Sequence, residues 1–87
     1  MIIQFTKQAD ADLDYFNFKR SGNKQAIKKI KELLHSILEN PYAGIGQPEQ
    51  LKHNLSGAWS RRITKEHRLV YEVENEVVFI LSLKGHY

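Results

Sequence analysis

The second half of the chain holds the residue types that cleavage of a ribose phosphodiester requires. Glu49 follows Pro48, Arg61, Arg62 and Arg68 come at close spacing, and His86-Tyr87 are the last two residues. In RNA transesterification a base takes the proton from a 2′-OH, that oxygen attacks the adjacent phosphorus, and an acid protonates the departing 5′ oxygen. A carboxylate and an imidazole can supply the proton transfers, each contributing roughly 10²–10⁴ in rate. Arginines can steady the extra charge of the pentacoordinate state. Residue type alone does not bring these groups together. Glu49 could equally be a solvated turn acid. Arg68 could pair at the surface with Glu66 or Glu72, an interaction contributing ~0–1 kcal/mol. Terminal residues such as His86 and Tyr87 are commonly frayed.

Other chemistries are less well supplied. There is no cysteine, which removes disulfides, thiolate metal sites and a cysteine nucleophile. His35, His53, His67 and His86 form no helical pair, and Asp10-Ala11-Asp12-Leu13-Asp14 has Tyr15 where a calcium loop needs glycine. No metal and no cofactor are therefore expected. Ser56-Gly57 and Ser60 lack the setting of a serine nucleophile, and Gly44-Ile45-Gly46 is not followed by the Lys-Ser/Thr of a phosphate loop.

The elements that must position the candidate residues can be read from periodicity. At 87 residues, 41% hydrophobic and 26% charged, the chain reads as one globular domain over residues 1–87 with a thin core. No apolar run is long enough for a membrane span, and Met1-Ile2-Ile3-Gln4 does not resemble a signal peptide, so a cytoplasmic location is expected. Residues 1–5 read as a strand. Thr6 is placed to cap a helix over 7–19, with Ala9, Leu13 and Phe16 on one face. Ser21-Gly22-Asn23 interrupts the pattern. A second helix over 24–39 carries the stripe Ile27, Ile30, Leu34, Ile37 and Leu38. Residues 41–57, punctuated by proline and glycine, read as a long irregular loop. Strands follow over 59–63, 68–74 and 76–83, with a tight turn at Glu74-Asn75. The order β-α-α-β-β-β implies an α+β fold, one curved, mainly antiparallel sheet with both helices on one face and the other face open to a ligand.

The net charge is only +3, but it is clustered. Residues 19–31 hold six basic side chains and no acid, and residues 52–68 hold five against one. Two such clusters suggest a polyanionic partner, nucleic acid above all. Lys24, Lys28 and Lys31 share one helical face. Lysines in the first turns oppose the helix dipole, which favours a binding role for them.

Three segments carry a specific likeness. They are Gly46-Gln47-Pro48-Glu49-Gln50-Leu51-Lys52-His53-Asn54-Leu55-Ser56-Gly57, then Trp59-Ser60-Arg61-Arg62-Ile63-Thr64, then Glu66-His67-Arg68-Leu69-Val70-Tyr71, and the chain ends in His86-Tyr87. This order resembles the YoeB toxins, the Txe/YoeB branch of the RelE/ParE-like type II toxin–antitoxin superfamily. The motif-rich part of the resemblance covers residues 41–87, and the first half agrees in layout. The resemblance implies a RelE-like, microbial-ribonuclease-like fold. It also implies a ribosome-dependent endoribonuclease that cuts mRNA in the ribosomal A site without a metal. Implied partners are a YefM-like antitoxin, the 70S ribosome and its mRNA, operator DNA only through the antitoxin complex, and a second copy in a homodimer. Carried over by position, Glu49 becomes the general base, His86 the general acid, Arg68 the stabiliser of the phosphorane, and Tyr87 a substrate-orienting residue. Lys52, His53, Arg61, Arg62 and Glu66 become supporting or RNA-binding residues, and Lys24, Lys28 and Lys31 contacts to ribosomal RNA. Lys84 and Gly85 depart from the usual arginine and aromatic before the final His-Tyr, which points to a looser tail. The alternative is a non-catalytic, ParE-like binding module on the same fold.

Overall fold

A computed structural model of the chain describes residues 1–19, 24–52 and 57–85. The Ser21-Gly22-Asn23 break, His53, His86 and Tyr87 lie outside the described residues. Strand β1 (Ile2–Phe5) leads into helix α1 (Lys7–Asp14). Thr6 joins them: its Oγ1 accepts from Ala9 N at 3.2 Å and donates to Leu81 O at 3.1 Å, so the helix cap is also a tie to the sheet. The helical stretch expected over 7–19 changes character at Tyr15, where a five-residue π-helical turn (Tyr15–Lys19) takes over. Adjacent rings on a regular helix diverge, but here Tyr15 and Phe16 both meet His67, at centroid separations of 6.5 and 5.3 Å.

Helix α2 (Lys24–Glu39) buries Ala26, Ile30, Leu33 and Ile37. The expected stripe was displaced by part of a turn: Ile27 and Leu34 are only half-buried, and Leu38 is 41% exposed. Ala26 carries too little apolar weight to reveal the true stripe in the sequence, but its small side chain lets this face seat in the core. Asn40 ends the helix, and its Oδ1 accepts from Tyr42 N at 2.9 Å.

The region read as irregular contains one more strand. β2 (Glu49–Gln50) pairs antiparallel with β3 (Trp59–Arg62), followed by β4 (Arg68–Glu74) and β5 (Val77–Ser82). The sheet order is β1-β5-β4-β3-β2, antiparallel except where β1 runs parallel to β5. Asn75, at φ 57°, makes the tight β4–β5 turn, a conformation asparagine tolerates better than most residues. A bulge opposite Val70/Tyr71 leaves Leu81 as the extra residue of β5.

The register sorts the side chains by face. Leu69, Tyr71, Val78 and Ile80 meet Ala9, Phe16, Ile30, Leu33 and Ile37 in one core, so both helices pack on the same side. On the opposite face, Glu49 lies across from Ser60, Ser60 from Val70, and Arg62 from Arg68.

Candidate functional site

The helix-free face gathers four of the polar residues of β2, β3 and β4. Arg68 stands at the start of β4 and is only 8% exposed. Its Nε donates to Ser60 Oγ at 2.9 Å, and its Nη2 donates to Gln47 O at 3.0 Å and, more weakly, to Ser60 O at 3.4 Å. Glu49 Oε2 lies 3.8 Å from the same Nη2, while two-thirds of the Glu49 side chain remains in solvent. The pair is therefore asymmetric: a fixed, largely buried guanidinium beside an exposed carboxylate. Among the described residues these bonds use Nε and Nη2 of the guanidinium fork.

The carbonyl that steadies Arg68 belongs to a constrained loop. Gln47 has φ 53° and Gly46 φ 83°, both left-handed. A Cβ on Gly46 would overlap Leu33 Cδ2, so the backbone approaches the core more closely than any side chain allows. Gly46 O accepts from Arg62 N at 2.7 Å, tying this turn to β3 beside the site. Left-handed backbone at a non-glycine residue costs of order 1–3 kcal/mol and persists where surroundings over-determine it.

Arg62 is exposed and sits directly across from Arg68 on the same face. Like charges facing each other across a ladder repel, and an anion bound between them relieves that repulsion. Lys52 is exposed just beyond β2, and Glu66 is exposed in the β3–β4 turn, where its N donates to Thr64 Oγ1 at 3.2 Å.

Arg61 does not join them. Strand alternation turns it to the helix face, where it is 0% exposed. All five donors are engaged: Nε to Tyr71 Oη at 3.1 Å, Nη1 to Ser36 Oγ at 2.7 Å and Ile45 O at 3.2 Å, Nη2 to Asn40 O at 2.7 Å and Ala43 O at 3.2 Å. Of the supporting or RNA-binding roles expected of Arg61, its burial fits the supporting one. Its guanidinium shapes the loop that delivers Gln47 and Glu49.

The lysines of α2 divide between two places. Lys28 lines a recess of about 600 Å³ with Lys29, Glu32, Ile63 and Thr64, and Lys29 continues into a recess of about 300 Å³ bounded by Gly46, Gln47, Arg62 and Ile63. Lys31 lies elsewhere, around a small apolar recess with Ile3, Leu34, His35 and Leu38, and Lys24 is exposed at the helix start. Sequence reasoning named Lys24, Lys28 and Lys31 and missed Lys29, which shares a recess with Gln47 and Arg62. It also missed Ser60, although period-two alternation from Arg62 places Ser60 on the same face.

The tail approaches Arg68. Gly85 O, the carbonyl that links to residue 86, accepts from Arg68 N at 3.1 Å, and Gly85 N donates to His67 Nδ1 at 3.0 Å. Gly85 has φ 108°, which side-chain-bearing residues rarely adopt. Both backbone polar groups of Gly85 are thus bonded.

This architecture recurs in known proteins. The model of the YoeB-like toxin of bacterial type II toxin–antitoxin systems matches residues 5–87. The chain is 49% identical over 74 residues to the YoeB toxin of Escherichia coli K12, covering 85% of this chain and 88% of that one. It is 47% identical over 87 residues to the YoeB toxin of Synechocystis, covering 100% and 98%. A Staphylococcus aureus YoeB, solved as a dimer, superposes with a TM-score of 0.87 at 49% identity, covering 100% and 98%. The same organism's toxin in a heterotetrameric complex with YefM gives 0.84 at 50% identity, covering 98% and 95%. The chain belongs to the YoeB-like toxin family of bacterial type II toxin–antitoxin systems.

Proposed function

We propose that this toxin is an mRNA-cleaving endoribonuclease that acts in the ribosomal A site and so arrests translation. The observation that carries this reading is the Glu49–Arg68 pair, an exposed carboxylate 3.8 Å from a guanidinium locked by Ser60 and Gln47. Glu49 takes the 2′-OH proton. The 2′ oxygen bonds to phosphorus, the bond to the 5′ oxygen breaks, and His86 protonates that leaving oxygen, giving a 2′,3′-cyclic phosphate and a free 5′-OH. Arg68 stabilises the charge on the non-bridging oxygens, and Tyr87 orients the substrate. Arg62 and Lys52 contribute positive potential, Glu66 and His53 support the site, and the Lys28–Lys29 recesses supply a basic path away from it. Side chains fill every role in this mechanism.

The partners follow the family. The Staphylococcus aureus relative has been solved with YefM and as a dimer, which supports a YefM-like antitoxin and self-association for this chain, with co-repression of the shared operon through the antitoxin complex. A cytoplasmic location fits these partners, and among the described residues no helix is long and apolar enough to cross a membrane.

Primer extension on mRNA from ribosomes treated with purified toxin tests the reading. New ends at A-site codons are expected with wild type, falling by about 10²–10⁴ in rate for Glu49→Gln. A toxin that halts growth without creating such ends would favour a non-catalytic, ParE-like action; one similar protein, from Agrobacterium tumefaciens, is described as a YoeB/ParE toxin.

A further inference from the structure

Each of the last three described residues is held by a different side chain from outside the tail. Leu83 N donates to Asp12 Oδ2 at 2.9 Å, across 71 positions of sequence. Lys84 Nζ stands 4.1 Å from the centroid of the Tyr15 ring, a cation–π distance. Gly85 N donates to His67 Nδ1 at 3.0 Å, which requires that nitrogen to carry no proton. His67 is in turn wedged by the rings of Tyr15 and Phe16, near-perpendicular at 70° and 87°. Both rings belong to the π-helical turn.

Asp12 is the most telling member. It is 5% exposed, and among the described residues no cation pairs with it. A carboxylate buried without a cation is unfavourable unless its oxygens are bonded. One oxygen accepts from Gln8 Nε2 at 2.8 Å and the other from Leu83 N.

We infer that Asp12, Tyr15 and His67 form a clamp that sets where the chain enters His86. They are positioning residues for the tail, with no contact to substrate required. The inference rests on the tail's role in the proposed cleavage. It also accounts for a glycine at position 85: with the clamp and Arg68 N holding both sides of that residue, its φ of 108° is set by the anchors and no bulky side chain is needed.

The test compares Asp12→Leu with Asp12→Asn and His67→Leu with His67→Asn. Leucine removes the acceptor. Asparagine at 12 can still accept from Leu83 N once the Gln8 amide flips, and asparagine at 67 places an oxygen near the lost Nδ1. Two quantities are read: hydrogen exchange of the Leu83 and Gly85 amides, and single-turnover cleavage on mRNA-programmed ribosomes against ribosome concentration. The leucine variants should expose the corresponding amide and slow the chemical step about 10- to 100-fold, the scale of a small misplacement, with half-saturation unchanged. The asparagine variants should recover most of both. If a leucine variant fails to fold, Lys84→Gln, at an exposed position, should still slow cleavage about 2- to 5-fold through the lost ring contact. Folded leucine variants with exposed tail amides and an undiminished rate would overturn the clamp as a positioning device. Wild-type protein that cleaves no mRNA would overturn the proposed function instead, whereas Leu83 and Gly85 amides that exchange freely in active wild-type protein would overturn the clamp alone.

Discussion

At the scale of single residues, the site depends on how rigidly Arg68 is held. Ser60 and the Gln47 carbonyl hold the guanidinium at two of its nitrogens, so the plane of the fork is fixed before any substrate arrives. A lysine supplies the charge without the planar fork. Arg68→Lys is therefore expected to fold, less stably for the lost bonds to Ser60 and Gln47, and to cleave about 10²–10³ slower, the scale of losing one preorganised stabilising donor; single-turnover kinetics beside a thermal melt separates the two effects. Ser60→Ala removes only the 2.9 Å bond to Nε. Its loss should cost about 1–3 kcal/mol, because Ser60 is fully buried and the Arg68 donor facing it is left without a partner. Denaturant unfolding measures that loss directly. These residues were legible in part. Glu49 and Arg68 were named from their types and the family motif, but Ser60 and the Gln47 carbonyl were not, because a support role leaves no chemical signature in the sequence.

At the scale of elements, the loop between α2 and β2 decides where the base stands. Arg61 fastens it by bonds to Asn40, Ala43 and Ile45 carbonyls, and to Ser36 and Tyr71 hydroxyls. Arg61→Leu leaves these acceptors buried or loosens the loop, at about 1–3 kcal/mol for each group that water cannot reach. The expected result is a markedly lower melting temperature together with lower activity, whereas Arg62→Leu should keep the melting temperature and lose activity alone. That contrast between neighbouring arginines is checked by differential scanning calorimetry and cleavage assays on the two variants. Gly46→Ala adds a Cβ against Leu33 at φ 83° and should destabilise the loop. The sequence marked this stretch as functional by its length and glycines. It hid β2, since Glu49-Gln50 has neither apolar alternation nor strand-favouring residues. Only the pairing with Ser60 and Trp59 makes it a strand.

At the scale of the whole molecule, stability is coupled to one buried hydroxyl. Tyr71 lies in the core, and burial raises its pKa above the usual 10.0, against the lowering effect of its hydrogen bond from Arg61. Tyr71 Oη also donates to Pro41 O at 2.5 Å, a bond that needs the proton. A raised pKa in the folded state means that the folded protein holds the proton longer than the unfolded chain. Stability is then fully present below pH 10 and falls as pH rises from there through the folded value. Equilibrium unfolding followed across the alkaline range should show that fall, and Tyr71→Phe, though less stable at neutral pH, should lack this contribution. Leu33, fully buried where α2 meets the sheet and the Gly46 turn, reports on the thin core: Leu33→Ala should cost about 2–5 kcal/mol by chemical denaturation.

The sequence by itself determined the local order: Thr6 as a cap, two helices, a hairpin closed near Asn75, and a sheet with one face free of helices. Through its Pro-Glu, Trp-Ser-Arg-Arg and His-Arg segments it also determined the family. These are properties of neighbours along the chain, and periodicity and motif record them. Tertiary structure decided which residues share a surface. It split Arg61 from Arg62 by the alternation of one strand, turned α2 onto Ala26 and Leu33 rather than Ile27 and Leu34, and recruited Glu49 into the sheet. It also set Asp12 and His67 on the tail, across 71 and 18 positions of sequence. Such choices depend on which groups find partners once water is excluded, and no local pattern carries that information.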